Sequence, residues 1–269
     1  MPTPPSPEHD AYQPQQIARR VQALGVTKAQ ADAPTLLVLG VLAGAFISLG
    51  ALFFAVVVTG SELGFGPTRW LGGLAFCLGL ALVVIAGAEL FTGNNLLAMA
   101  WASRLITTRR LLRHWGLVYL GNLLGCLGTV ALAWLADSAS LAEGRLGETL
   151  VAIATAKVGL SPLEAFARGV LCNVLVCLAV WLAMGGHSVT DKLLAIVLPI
   201  SAFVALGFEH SIANGFFLPM GRLLDPAAVP LGAALANLGW VTLGNLVGGT
   251  LLVAGVYWLA YLRPPRTPP

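Results

Sequence analysis

Charged side chains are scarce in this chain: Asp, Glu, Lys and Arg make up 10% of its 269 residues, against about 25% in an ordinary soluble domain. That shortage excludes a soluble globular surface. Lys and Arg exceed Asp and Glu by only 15 to 12, too small a surplus for a nucleic-acid-binding surface, and no nucleic-acid partner is expected. Cysteine is scarce as well. The four present, Cys77, Cys126, Cys172 and Cys177, fall inside apolar runs, where a disulfide framework or a reactive thiol is not expected and a small apolar group is. The opening stretch carries Pro2, Pro4, Pro5, Pro7 and Pro14 and lacks the apolar core of a signal peptide, so nothing is expected to be cleaved there.

Apolar length is what the chain has in abundance, with 57% of residues hydrophobic. Runs able to cross about 30 Å of hydrocarbon, which takes about 20 helical residues, occur at 34–59, 70–101, 114–136, 164–185, 192–221 and 231–262. The expectation is an all-α membrane protein of six transmembrane helices. A polar tail at 1–33 precedes the transmembrane region at 34–262, and a short tail at 263–269 follows it. An even number of crossings leaves both termini on one side. That side holds Arg19, Arg20, Lys28, Arg104, Arg109, Arg110, Arg113, Lys192, Arg263 and Arg266, against Arg69, Arg145, Lys157, Arg168 and Arg222 on the other. The bias predicts cytoplasmic termini by the positive-inside rule.

The two halves of the chain repeat one another. Gly40-Val41-Leu42 is matched by Gly169-Val170-Leu171, Glu89 with Asn94 by Glu209 with Asn214, and Leu120-Gly121-Asn122-Leu123 by Leu243-Gly244-Asn245-Leu246, at spacings of 129, 120 and 123 residues. Repeat one covers 34–136 and repeat two 164–262. Three crossings per copy is an odd number, so the second copy enters the membrane from the opposite side. This is the inverted-repeat plan of transporters and channels, with the solute path between the copies.

Spans two and five are each about 30 residues, or about 45 Å as one straight helix at 1.5 Å per residue. Each also has a polar interruption: Glu89-Leu90-Phe91-Thr92-Gly93-Asn94-Asn95 in one, Gly207-Phe208-Glu209-His210-Ser211-Ile212-Ala213-Asn214 in the other. Thr, Gly and Asn are poor helix formers that supply turn and cap chemistry, so both helices are predicted to break there. Irregular backbone at membrane depth is tolerated only where it is buried in protein or lines a wet cavity, which assigns the breaks to the pore.

Ionisable residues inside spans are functional candidates by default. Glu89 and Glu209, as mates, either cap the half-helix N-termini or act on the solute. His210 stands where repeat one has Leu90, and that asymmetry favours a task, hydrogen bonding or proton donation near neutrality, over scaffolding. Lys157, among apolar residues, is either a snorkelling side chain or a fixed charge concentrating anions at a pore mouth. Asn173 offers a polar contact to a solute or packs helices together.

The strings Gly87-Ala88-Glu89-Leu90-Phe91-Thr92-Gly93-Asn94, Leu171-Cys172-Asn173-Val174-Leu175-Val176-Cys177-Leu178-Ala179-Val180-Trp181 and Gly207 through Asn214, with Gly244-Asn245-Leu246-Val247-Gly248-Gly249, resemble the signatures of the formate/nitrite transporter family from about residue 34 to 262. The resemblance implies an aquaporin-like fold and a homopentamer with one pore per protomer. It also implies passage of small monovalent anions such as formate, nitrite, hydrosulfide and related monocarboxylates. It matches Thr92 to the family's loop threonine, His210 to its histidine, Lys157 to its lysine and Asn173 to its asparagine. Its apolar constrictions map to Leu90, Phe91 and Val176 on one side and Phe76, Leu80 and Phe203 on the other. Glu89 stands where some members have aspartate, and Gly215 where methionine is frequent.

No cofactor or metal is expected. The mechanism this suggests has Lys157 and the half-helix dipoles attract the anion, then His210 with Thr92 bind it between the necks, with proton donation letting a weak acid pass as a neutral species. Asp191-Lys192 and the stretch from Phe203 through Leu218-Pro219-Met220-Gly221 resemble the formate channels, whereas Trp240-Val241-Thr242-Leu243-Gly244-Asn245 resembles the nitrite channels. The paired Asn-Pro-Ala motifs of aquaporins are absent. A membrane-embedded hydrolase using Glu209 and His210 would lack a nucleophile or metal set, since His114 and His187 fall in loops and His9 in the tail. The expected location is the cell inner membrane.

Overall fold

Helix formation follows the apolar runs, and the helix ends follow the turn and cap residues. The computed structural model describes residues 11–263; His9, the prolines at 2, 4, 5 and 7, Arg266 and the rest of 264–269 lie outside it. Helix α1, Pro14–Gln30, comes from the stretch read as polar tail. Its buried residues Ile17, Val21, Gly25 and Ala29 recur every four positions, an amphipathic stripe that lays the helix against the bundle. Helix α2, Ala33–Val58, starts on Asp32, whose carboxylate accepts the Thr35 N–H at 2.7 Å. Thr35 holds that carboxyl below the ordinary aspartate range, as expected of an N-cap.

Helix α3, Phe65–Gly87, loosens into a π turn over Leu82–Gly87, and after a short extended link a 3₁₀ turn, Gly93–Leu97, leads into α4, Ala98–Ala102. Helix α5, Thr108–Leu135, closes the first copy. The second repeats the order: surface helix α6, Arg145–Val158; α7, Pro162–Gly185; α8, Val189–Ala205; α9, Ser211–Leu224; and α10, Leu231–Tyr261, with a π turn at Gly248–Gly255. Among the described residues five helices, α2, α3, α5, α7 and α10, are long and apolar enough to cross a membrane. The sixth crossing is shared by α8 and α9, which are too short singly because the chain breaks between them. Spans two and five are therefore the discontinuous ones, as their polar interruptions predict. His114 lies within α5, not in a loop.

Close helix crossings are set by glycine. A Cβ on Gly44 would sit 2.0 Å from the Asn122 carbonyl oxygen, and one on Gly248 would sit 2.2 Å from that of Val170. The pairs α2 with α5 and α7 with α10 thus meet backbone to backbone, as small residues permit where lipid supplies no hydrophobic drive between helices. All four cysteines are free and buried, while large apolar side chains such as Leu132, Leu135 and Leu198 point outward, as lipid or a neighbouring protomer requires.

Candidate functional site

Each break is made by the same set of residues. Gly87 and Gly207 end the first half-helices with φ of 86° and 72°, a left-handed conformation that glycine adopts without steric cost. The next backbone is held by an asparagine from a facing helix. Asn122 on α5 donates to the carbonyls of Gly40 and Glu89, both at 2.8 Å, and accepts the Phe91 N–H at 2.9 Å. Asn245 on α10 donates to Gly169 at 2.8 Å and Glu209 at 3.0 Å, and accepts the Ser211 N–H at 2.9 Å. These clamps satisfy buried backbone groups that a continuous helix would have paired internally.

Both intramembrane glutamates are neutralised. Glu209 receives Lys157 Nζ on its two oxygens at 3.0 and 3.1 Å and the Asn214 amide at 2.7 Å. Asn214 donates onward to Asn237, whose own amide donates to the Lys157 carbonyl. Glu89 receives Lys28 Nζ at 3.0 Å and the Asn94 amide at 2.6 Å, while Lys28 also donates to Asn94 Oδ1 at 2.9 Å. Lys157 lies 129 residues after Lys28, so the surface helices α1 and α6 deliver matching lysines to matching breaks. His114, buried with Nε2 3.5 Å from Glu89, occupies the position that Asn237 fills 123 residues later.

These contacts correct two expectations. Neither glutamate caps a half-helix backbone; each is tied up by a lysine and an asparagine. Lys157 is neither snorkelling nor a free charge, because its ammonium is spent on Glu209. Sequence reasoning missed Lys28, the second lysine, although the 129-residue offset of its mate was available to find it.

The cap of α9 is His210. Its Nδ1 accepts the Ala213 N–H at 3.1 Å and its Nε2 lies 2.9 Å from Thr92 Oγ1, joining the break of repeat two to that of repeat one. The partners assign the tautomer: Nδ1, as acceptor, carries no proton, so Nε2–H donates to the threonine. Protonating Nδ1 would set two donors against each other and cost the cap. The resulting pair presents a neutral imidazole and a threonine hydroxyl, groups that donate hydrogen bonds without carrying charge.

Asn173 sits beside them, donating to Asn95 Oδ1 at 2.8 Å, the Asn245 carbonyl at 2.7 Å and the Thr92 carbonyl at 3.3 Å. Its own Oδ1 is buried without a partner. The asparagine therefore fixes the threonine loop.

A cavity of about 430 Å³ enters from the face opposite the termini and is lined by Lys157, Glu209, His210, Phe76 and Phe203 among others. Phe76 and Phe203 meet edge to face at 5.5 Å, and Phe203 stacks on the His210 ring at 5.9 Å. Leu80, buried, lies one helical turn beyond Phe76 on α3. On the terminus face a pocket of about 30 Å³ lies between α1 and the repeat-one break, lined by Lys28, Gly93 and Asn94. Leu90, Phe91 and Val176 are all buried in the same apolar core, and Phe91 packs edge to face on Tyr119 at 4.8 Å. The cavity wall thus combines a lysine–glutamate pair, two aromatic rings and the His210 imidazole.

Comparison with known proteins bears on the family and the fold. A family model described as formate/nitrite transporter matches residues 15–259. The chain is 40% identical to the formate channel FocA of Escherichia coli strain K12 over 94% of its own length and 96% of that relative's. Its structure is similar to that of a pentameric formate channel with formate bound, with a TM-score of 0.80 and 40% identity over 86% of this chain and 98% of that one. It is similar also to an FNT family ion channel, with a TM-score of 0.84 and 30% identity over 91% and 98%.

Proposed function

The chain belongs to the formate/nitrite transporter family, and we propose that within it the protein works as a channel for small monovalent anions of weak acids, with formate the preferred solute. The observation that carries this reading is the Thr92–His210 pair, which bridges the two breaks and whose histidine stands in the wall of the 430 Å³ cavity. With Nε2–H donated to Thr92 Oγ1, a carboxylate arriving there meets the Thr92 hydroxyl as donor, and charge-assisted hydrogen bonds of that kind are the stronger ones. Phe76, Leu80 and Phe203 on one side and Leu90, Phe91 and Val176 on the other exclude the hydrated ion, as apolar constrictions do. Asn173, Glu209, Lys157 and Asn214 hold the geometry. The relatives named formate channels support the choice of formate, and membership in a transport family leaves no role for the hydrolase alternative.

The protein works as a homopentamer in the inner membrane with both termini in the cytoplasm. The ten-to-five bias of Lys and Arg supports that orientation, and the outward-facing leucines offer surface for subunit contacts.

Stopped-flow uptake of formate, nitrite, hydrosulfide and lactate into proteoliposomes at two pH values tests the substrate. Formate should be fastest, and a higher rate for nitrite would reverse the order proposed. His210→Ala and His210→Asn under a pH gradient test proton coupling; unchanged proton dependence in both removes the histidine from that step.

A further inference from the structure

The link between α1 and α2 and the first turns of α5 enclose a hollow of about 650 Å³ on the terminus face, walled by Gln30, Ala31, Asp32, Arg109, Arg110 and Arg113 among others. None of the residues placed on the permeation path lines it. Arg113 is its fixed corner: Nη1 donates to the Ala31 carbonyl at 3.0 Å, a neutral partner that orients the guanidinium without cancelling its charge. The guanidiniums of Arg109 and Arg110 belong to exposed residues and make no hydrogen bond or ion pair among the described residues. Asp32 supplies the one carboxylate in the wall, and it accepts the Thr35 N–H at 2.7 Å. Three guanidiniums against one carboxylate leave two positive charges. In the second copy the positions 123 residues on are Gly232, Ala233 and Ala236, so the inverted repeat itself does not call for these cations.

The surface around the start of α5 is apolar. Trp101, Leu105 and Leu112 are 44%, 52% and 58% exposed, and Trp101 Nε1 donates to Thr108 Oγ1 at 3.0 Å, which fixes the indole at the first turn of the spanning helix. Tryptophan is enriched at headgroup depth, where an apolar ring with one polar tip is at home. Along α5 the exposed residues Leu112, Gly116, Leu120 and Leu124 recur every four positions, and a Cβ on Gly116 would meet nothing within 4 Å. Residues four apart share one helix face, so an open apolar track runs from the arginines into the span. A cationic hollow at the head of such a track matches both parts of an acidic phospholipid, phosphate and acyl chain, whereas a soluble anion matches only the first.

We propose that this hollow binds an acidic phospholipid, its headgroup phosphate on Arg109, Arg110 and Arg113 and an acyl chain along Leu112, Gly116, Leu120 and Leu124. The planar guanidinium fork suits phosphate oxygens better than an ammonium does. Two net charges favour a headgroup with two phosphates, as in cardiolipin, over the single phosphate of phosphatidylglycerol. Each cation near the membrane surface strengthens binding of an anionic lipid about fivefold. Arg113 also holds Ala31, three residues after Lys28, so a bound headgroup braces the end of the helix that brings Lys28 to Glu89.

The test is native mass spectrometry of the detergent-solubilised oligomer titrated with cardiolipin, phosphatidylglycerol or phosphatidylcholine. The variants are Arg109→Gln/Arg110→Gln, the charge-keeping Arg109→Lys/Arg110→Lys, and Arg19→Gln/Lys192→Gln, which removes equal charge elsewhere on the same face. Wild type should bind cardiolipin more tightly than phosphatidylglycerol and phosphatidylcholine least, and cardiolipin should raise its thermal unfolding temperature. The glutamine pair should weaken cardiolipin binding about 25-fold, the lysine pair less, and the Arg19 and Lys192 pair not at all. Should the double variant fold poorly, Arg109→Gln alone carries the same prediction at about fivefold. Equal loss in Arg19→Gln/Lys192→Gln reduces the effect to the overall charge of that face and overturns the site. Equal binding of phosphatidylcholine, or displacement of the lipid by inorganic phosphate, overturns it too. So does a glutamine variant that keeps its lipid but falls apart into protomers, since the arginines then face a second copy. None of these outcomes touches the anion-channel reading, which formate flux reports separately.

Discussion

Removing the Asn245 carboxamide tests the account of the broken helix most directly. Asn245 accepts the Ser211 N–H at 2.9 Å and donates to the carbonyls of Glu209 and Gly169 at 3.0 and 2.8 Å. Gly169 lies inside α7, where its carbonyl keeps its helical partner after the substitution. Ser211 is the first residue of α9 and Glu209 lies in the break, so these two groups have no helical alternative. At about 1–3 kcal/mol for each orphaned buried group, Asn245→Ala should cost about 2–6 kcal/mol. An ordinary interhelical side-chain hydrogen bond in a membrane protein averages only about 0.6 kcal/mol, so the two cases are separable by measurement. Unfolding of the purified protein by SDS titration gives the stability, and formate flux in proteoliposomes gives the function. Asn122→Ala, the mate in repeat one, should cost a similar amount. A loss under about 1 kcal/mol at both sites would refute the idea that these amides hold the breaks open.

Further outcomes follow from the same contacts. Lys157→Met leaves Glu209 buried and unpaired and should destabilise by about 3–5 kcal/mol, most of it recovered in Lys157→Met/Glu209→Gln, read by a double-mutant cycle on thermal unfolding. His210→Asn retains a side chain able to cap α9, whereas His210→Ala does not, so in the same assay the alanine variant should be less stable by about 1 kcal/mol while both lose formate flux. Gly44→Ala drives a methyl group to within 2.0 Å of the Asn122 oxygen and should abolish assembly of the folded protein in size-exclusion chromatography. Gly239→Ala meets nothing within 4 Å and should be neutral or slightly stabilising there.

Much of this architecture is legible in the sequence because an inverted repeat writes it twice. The strings around Glu89 and Glu209 and around Asn122 and Asn245 match over several residues and lie in apolar surroundings, where a polar residue is conspicuous. Lys28 is hidden by the opposite circumstance. It sits in a polar stretch, and Val26-Thr27-Lys28-Ala29-Gln30 shares only the lysine with Thr155-Ala156-Lys157-Val158-Gly159, so composition classes it with the tail while the structure brings it to Glu89. Pairing between α1 and a break is a tertiary contact, and no local pattern encodes it. The cap on α9 was hidden for a chemical reason: helix N-caps are read from Ser, Thr, Asp and Asn, and a histidine filling that place through Nδ1 has no sequence signature. His114 was misassigned because its place near the start of an apolar run looks like a loop until α5 is seen to begin at Thr108.

Burial of every native thiol has a practical consequence. Cys77, Cys126, Cys172 and Cys177 are all inaccessible in the folded protein, so a cysteine introduced along the vestibule wall would be the first to react with a water-soluble maleimide, without prior removal of the other four. Labelling from one side of the membrane and then the other would trace, position by position, how far water reaches toward the imidazole from each compartment.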